Sequence, residues 1–88
     1  MQFEGGVITE QGVTFGIIIV RPHVLSSPSA QDEMRKFGLR AFGPMPIILM
    51  AQDSRGTPTY QGRTDIVNFL ANIFFEQIPW QRYTLPAA

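Results

Sequence analysis

The sequence has no cysteine, and that absence removes several classes of protein at once. Small secreted domains held together by disulfides and zinc sites built on thiolates both need cysteine. Charge is also scarce, because only 16% of the 88 residues are charged and seven basic side chains balance seven acidic ones. A nucleic-acid-binding protein usually carries a basic excess on one face, so the composition does not favour a nucleic-acid partner.

Long apolar runs are missing as well. The longest are Phe15–Val20, which contains Gly16, and Ile47–Ala51. Neither approaches the roughly 18 residues that a membrane-spanning helix needs. Residues Met1–Glu4 show no basic region ahead of an apolar stretch, so they do not have the pattern of a signal peptide. We therefore expect a cytoplasmic protein without a membrane partner.

The residues that are present fit one small domain. Of the chain, 44% is hydrophobic, and a chain of this length buries roughly 64% of its unfolded surface, enough for one core. The pattern of apolar runs and turn residues predicts a single α+β domain over residues 1–88, with 86–88 as a frayed tail. A mixed sheet and two helices are expected in the order β-β-α-β-β-α-β. The predicted strands are Val7–Glu10, Val13–Arg21, Ile47–Asp53, Thr57–Gln61 and Trp80–Leu85.

Local signals indicate how these strands are arranged. Gln11-Gly12 between two β-rich runs predicts a tight hairpin. The continuous apolar run Ile17–Val20 is typical of a strand covered on both faces, and therefore of a central one. Pro58 lacks a donor for the ladder, so its strand is expected at an edge of the sheet. The segment between the second and third strands is long enough for a parallel crossover through a helix.

Two helices are predicted from capping residues and apolar stripes. The first follows Ser29, a residue type favoured at the N-cap, and ends at Gly43-Pro44. Gly38 lies on its apolar face, where the missing side chain allows close approach to the sheet. The second helix runs from the cap Thr64 to about Phe74. Four side chains on the most apolar elements are expected to be nearly fully buried, namely Ile18, Ile48, Phe69 and Leu70.

The stretch from residue 44 to 74 resembles the C-terminal portion of thioredoxin-like domains. Met45-Pro46 leads into a strand, Ser54–Gly56 forms a turn, and a second strand ends at Gly62 before a helix. The resemblance implies a cis bond before Pro46. The chain departs from that family because it has no cysteine, and the Gln11-Gly12 connection leaves no room for the first helix of that fold. The resemblance therefore carries no redox chemistry.

One candidate ligand site lies where two parallel strands end. The lone histidine, His23, follows Arg21 just past the second strand, and Asp53 ends the third. Ligand crevices form at the carboxyl ends of such strands, and Ser27 adds a hydroxyl near the start of the first helix, where anions bind. Turn chemistry alone explains Asp53, and helix capping alone explains the serines. We assign no catalytic residue, metal ligand or cofactor, because neither nucleophile motif nor metal-ligand spacing occurs.

Apolar and aromatic residues near the end of the chain indicate a protein interface. If the second helix continues through Phe75, that ring points away from the core. Trp80, Arg82 and Tyr83 follow, and these residue types are enriched at interface hot spots. The alternative is that the helix ends at Phe74 and the tail folds back onto the domain.

The resulting functional hypothesis is a non-catalytic protein-interaction module. Its expected partner is a second copy of the chain, in a homodimer or larger assembly, or another protein. The competing hypothesis is a domain that binds a small ligand or an anion, with or without weak catalysis, in a pocket formed by Arg21, His23, Ser27 and Asp53.

Overall fold

A five-stranded mixed sheet lies at the centre of the computed structural model, which describes residues 2–85. The strand order is β4-β3-β2-β1-β5, with β2 and β3 parallel and the other neighbours antiparallel. The predicted α+β class, the mixed sheet and the order of strands and helices are confirmed. The strands are β1 (Gln2–Glu10), β2 (Val13–Ile19), β3 (Ile47–Gln52), β4 (Pro58–Gln61) and β5 (Gln81–Thr84), and the helices are α1 (Pro28–Phe42) and α2 (Thr64–Ala71).

The β1–β2 hairpin turns in two residues, as the sequence predicts. Gln11 and Gly12 both have positive φ, at 51° and 79°, and this twist matches that of the flanking strands. Glu10 lies opposite Val13 across the turn. Glycine at the second turn position carries no side-chain penalty for this conformation, so the turn sets the register of the whole hairpin.

The two helices cover opposite faces of the sheet. Side chains along β2, and at Val20 just after it, point alternately to one helix and to the other. Phe15 and Ile17 belong to the core beneath α2, whereas Ile18 and Val20 belong to the core beneath α1. Since β2 lies between β1 and β3, its expected central position is confirmed. Ile18, Ile48 and Leu70 are at most 1% exposed, as predicted. The prediction for Phe69 is wrong, because this side chain is only partly buried at the margin of the α2 core.

Helix α1 begins two residues earlier than the sequence indicates. Ser27, not Ser29, is the N-cap, and its Oγ accepts a hydrogen bond from the amide of Ala30 at 3.3 Å. Pro28 then occupies the first helical position, where its fixed φ is favourable and its missing amide hydrogen costs nothing. Before it, Pro22–Ser26 form a short 3-10 helix.

Gly38 brings α1 directly onto the sheet, as expected. A Cβ at this position would lie 2.8 Å from Ile18 Cδ1 and 2.8 Å from Ile47 Cγ2. At the other edge of this face, the Arg35 guanidinium donates hydrogen bonds to the backbone carbonyl and the side-chain oxygen of Gln61. The α1 face is therefore closed from β2 across to β4.

An aromatic cluster closes the other side of the α1 face. Phe3 lies 5.0 Å from Phe37 and 5.7 Å from Phe42 between ring centroids, and it stacks on Tyr83 at 5.3 Å. Phe42 meets Tyr83 edge-on at 5.0 Å. Such edge-to-face and stacked pairs add stability beyond the area that they bury. The cluster joins residues from β1, α1 and β5.

Helix α2 ends at Ala71, three residues before the predicted end at Phe74. The side-chain amide of Asn72 donates a hydrogen bond to the backbone carbonyl of Asn68 at 2.7 Å. The backbone amide of Asn72 donates to the carbonyls of Phe69 and Leu70. Asparagine side chains compete in this way with continued helix. A 3-10 helix, Phe75–Gln77, follows.

Other boundaries also differ from the sequence predictions. Strand β1 extends back to Gln2, where residues Gln2–Gly5 pair with β5. The missing side chains of Gly5 and Gly6 leave room for Phe42 and for the backbone of Pro79 to lie directly on β1. Strands β2, β3 and β5 are each shorter than predicted, and β4 begins at Pro58 on an edge of the sheet. The bond before Pro46 is trans, because the described residues contain no cis peptide, so the thioredoxin-like resemblance loses its main support. The predicted tail, residues 86–88, lies outside the described residues.

Candidate functional site

The predicted ligand residues lie at the carboxyl ends of two parallel strands, but two of them bind their own backbone. The amide of Val20 donates to the carbonyl of Met50 at 2.7 Å, so these strand ends are adjacent. Asp53 accepts hydrogen bonds from the amides of Arg55 and Thr57 at 2.8 and 2.9 Å, and Ser27 caps α1. Arg21 and His23 are exposed. No hydrogen bond or ion pair in the described part of the chain joins any two of the four predicted ligand residues.

Two of the predicted interface residues pack against each other. The rings of Phe75 and Trp80 are 4.9 Å apart, and Trp80 Nε1 donates to the carbonyl of Phe75 at 3.0 Å. Both side chains are half-buried against the α2 core. The tail therefore folds back, which is the alternative that the sequence left open.

The other two predicted interface residues lie on β5, on opposite faces of the sheet. Tyr83 belongs to the aromatic cluster, whereas Arg82 lies 3.5 Å from Glu4 with both side chains more than half exposed. The inner edge of β5 pairs with β1 from Gln2 to Gly5. Strand β5 therefore has a partner within its own chain along this inner edge. Its outer edge is an edge of the sheet.

The sequence analysis did not identify one exposed aromatic residue. Phe74 is 76% exposed, the largest value among the exposed large apolar side chains of the described residues. The sequence analysis expected Phe75 to be exposed if the second helix continued through it. Because α2 ends at Ala71, Phe74 is the exposed ring and Phe75 packs against Trp80. The Phe74-Phe75 pair was itself the available signal, because adjacent residues rarely bury their side chains in the same direction.

Two adjoining grooves lie on the α2 face, beside the β1–β2 hairpin. The hairpin groove encloses about 440 Å³ between the tip of the hairpin and the first turns of α2. The β1 groove encloses about 250 Å³ between β1, the end of α2 and the chain that follows it. Glu10 and Phe69 line both. The hairpin groove is also lined by Val13, Phe15, Asp65, Ile66 and Asn68, and the β1 groove by Val7, Ile8, Ile73, Gln77 and Pro79.

The lining of these grooves is acidic and contains neither lysine nor arginine. Asp65 is neutralised from outside the groove, because the Arg63 guanidinium donates to both of its oxygens at 2.8 and 3.0 Å. This pair lowers the pKa of Asp65 below its usual range. Glu10 forms no ion pair within residues 2–85. The uncompensated charge of the grooves is therefore the Glu10 carboxylate.

The edge of β1 above the β1 groove is only half paired. Strand β5 covers β1 from Gln2 to Gly5, and no described strand pairs with the same edge from Val7 to Glu10. This half contains neither proline nor lysine, the residues that often protect an exposed edge. The sequence predicted a strand at Val7–Glu10, but it did not show that the partner on this side would be shorter than β1.

One buried hydroxyl group lies on β4. The Oη atom of Tyr60 is buried and forms no hydrogen bond in the described structure. Burial raises the pKa of Tyr60. The residue packs against the α2 core and lies on the opposite edge of the sheet from the grooves.

Within residues 2–85, no group of three histidine, cysteine or acidic side chains is placed to hold a metal ion. No helix in that range is long and apolar enough to cross a membrane. No protein-family model, curated protein or solved structure matches the chain. Its function therefore has to be inferred from the geometry described above.

Proposed function

We propose that this domain is a non-catalytic, cytoplasmic protein-interaction module that associates with a second copy of itself through the outer edge of β5. The position of β5 as the last strand of the sheet carries the proposal. The backbone groups along an unpaired edge form a template for another strand. Residues Gln81–Thr84 contain no proline, and their one charged residue, Arg82, is paired with Glu4 of the same chain. Association through this edge would join two five-stranded sheets into one.

A two-fold axis perpendicular to the sheet would pair β5 with its own copy in antiparallel orientation, the arrangement of a self-complementary interface. Such an axis keeps each face on the same side. With the axis at Tyr83, this residue lies opposite its counterpart and Arg82 lies opposite Thr84 of the second copy. Tyr83 already contacts Phe3 and Phe42. The aromatic cluster would therefore continue from one copy to the other.

The charges along β5 are compatible with this arrangement. Arg82 is the only charged residue of the strand, and Glu4 lies 3.5 Å from it on the same face. Each copy therefore brings its own counter-charge to the interface. A contact made by one strand of four residues belongs to the smaller class of interfaces, below about 1,200 Å² in total, which is typical of transient association.

The non-catalytic part of the proposal is supported by what the polar side chains do. Asp53 and Ser27, the carboxylate and the hydroxyl of the predicted pocket, are engaged by backbone amides. His23 is exposed, and no hydrogen bond or ion pair among residues 2–85 holds it against a second titratable side chain.

Thr84→Lys tests the proposal directly, because Thr84 is exposed on β5 and would lie opposite Arg82 of the second copy. Light scattering over micromolar to millimolar concentration is expected to show a monomer–dimer equilibrium for the parent chain. The added like charge is expected to weaken dimerisation by about tenfold or more, since it places two repulsive pairs at each interface.

Thr59→Lys is the matched control, because Thr59 is an exposed threonine on β4, the strand at the opposite edge. It is expected to leave the dimerisation constant unchanged. A mass of one chain across the whole concentration range, or equal weakening by both substitutions, would contradict the proposal.

A further inference from the structure

We propose that the open half of β1 and the β1 groove beside it bind an extended segment of a partner protein whose groove-facing side chains are a lysine or arginine flanked by two apolar residues. This site is separate from the outer edge of β5, so the inference does not depend on self-association. The bound segment belongs to a different protein, and the charge and shape of the β1 groove identify the chemistry of that segment.

The free edge supplies the backbone part of the site. Between Val7 and Glu10, β1 is paired with β2 on one side and has no described strand on the other. An extended segment that adds here forms main-chain hydrogen bonds irrespective of its sequence. Pro79 approaches Gly6 closely, and its backbone oxygen would lie 3.2 Å from a Cβ at that position. The end of the free edge is thereby defined by the crossing chain.

The β1 groove supplies the side-chain part of the site. In a docked strand, alternate residues point to the same face of the sheet, and on the α2 face those side chains would lie beside Ile8 and Glu10, at the mouth of the β1 groove. The apolar walls of this groove include Ile8, Phe69 and Ile73. Apolar side chains on either side of a central residue would therefore meet apolar surface.

The charge of the site determines which residue of the bound segment is preferred at its central groove-facing position. Glu10 lines both grooves, has no ion-pair partner among residues 2–85, and has no basic side chain among the other lining residues. A lysine or arginine can lay its apolar stem on Phe69 and keep its charged end near the carboxylate. Asp65 is already paired with Arg63, so Glu10 determines the preference.

A second copy docking through its own β1 fits this site less well. Antiparallel self-pairing would bring another Glu10 to the same face, where like charges repel. With the two-fold axis at Thr9, the two carboxylates would be diagonal neighbours at about 7–8 Å. Charge complementarity therefore favours a basic segment of another protein.

Two labelled peptides test the inference with the full chain. Both alternate threonine with three inward-facing residues, which are valine-lysine-valine in one and valine-glutamate-valine in the other. Fluorescence polarisation at low salt is expected to show about five- to tenfold tighter binding of the lysine peptide, with the difference shrinking as salt screens the charges. Backbone amide signals of Val7–Glu10 are expected to shift on binding.

Glu10→Lys is expected to reverse this preference, whereas Glu33→Lys, an exposed glutamate on α1, is expected to leave it unchanged. Repeating the titration with Thr84→Lys separates this inference from self-association, because peptide binding is expected to persist when dimers are lost. Failure of both peptides to bind, equal binding of both, or a preference unaffected by Glu10→Lys would overturn the inference. It would also be overturned if Glu10→Lys changed only the oligomeric mass, since the open half of β1 would then be a contact between copies.

Discussion

The two faces of the sheet are covered to different extents, although each carries one helix. On the α1 face, a helix of 15 residues, an aromatic cluster and the Arg35–Gln61 contact span the width of the sheet. On the α2 face, a helix of eight residues is followed by a 3-10 helix, and two grooves remain between these elements and the hairpin. The difference shows that helix length, as well as helix number, decides how much of a sheet face is covered.

The largest effect is expected from Leu70→Ala, which breaks the core beneath the shorter helix. Leu70 is 1% exposed and lies among Ile17, Ile48 and Ile66. The lost transfer energy and the remaining cavity should reduce the free energy of unfolding by about 2–5 kcal/mol. Small domains have only about 5–15 kcal/mol in total, so urea denaturation should show a large shift of the midpoint.

Phe74→Ser is the control for this experiment, because Phe74 follows the same helix and is exposed. We expect its effect on unfolding to remain within about 0.5 kcal/mol. If both variants lost the same stability, the assignment of the buried and exposed sides of this region would be wrong.

A smaller effect is expected from Gly38→Val, which tests the close contact of the α1 face. A side chain at this position would overlap Ile18 and Ile47. Overpacking of this kind costs about 1–3 kcal/mol, and thermal and urea unfolding would both measure it. Lys36→Val, on the exposed side of the same helix, controls for the effect of valine on helix propensity. Equal stability of Gly38→Val and the parent chain would show that α1 lies further from the sheet.

The smallest effect is expected from Arg63→Ala, which changes the charge at the rim of the hairpin groove. The Arg63 guanidinium lowers the pKa of Asp65, so its removal should raise that pKa toward the ordinary value for aspartate. Because the folded-state pKa lies below the unfolded one, the pair stabilises the domain above the unfolded pKa, and this contribution is lost as pH falls through the folded pKa. A carboxyl titration by NMR measures the change, and Arg55→Ala, which lies on a different turn, should leave the pKa of Asp65 where it was.

Local patterns predicted the parts of the fold that short-range physics determines. The Gln11-Gly12 turn, the approach of α1 at Gly38 and the central position of β2 all follow from the conformational or apolar character of a few neighbouring residues. The end of α2 did not follow, because it depends on Asn72 competing for backbone carbonyls. The predicted helix reached about Phe74, and its continuation through Phe75 would have made Phe75 the exposed ring, so the exposure of Phe74 was not foreseen.

The candidate site was less predictable because it arises from contacts between distant segments. Two features bring opposite ends of the chain together: β5 pairs with only half of β1, and the half-buried side chains of Trp80 and Tyr83 pack against their own domain. Glu10 looks in the sequence like an ordinary residue before a turn. Its role in the grooves depends on the position and length of α2, which no pattern near Glu10 encodes.

The pairing of β1 with β5 also bears on how the domain folds. Gln2 lies opposite Thr84, so this ladder closes almost the entire chain into a loop, whereas the hairpin forms between neighbours. Closing a longer loop costs more entropy, and long-range strand pairs form more slowly than local ones. Docking of β5 is therefore expected among the last folding events. Loss of this ladder would leave the edge of β1 unpaired along the full strand and would lengthen the template that the edge offers to another chain.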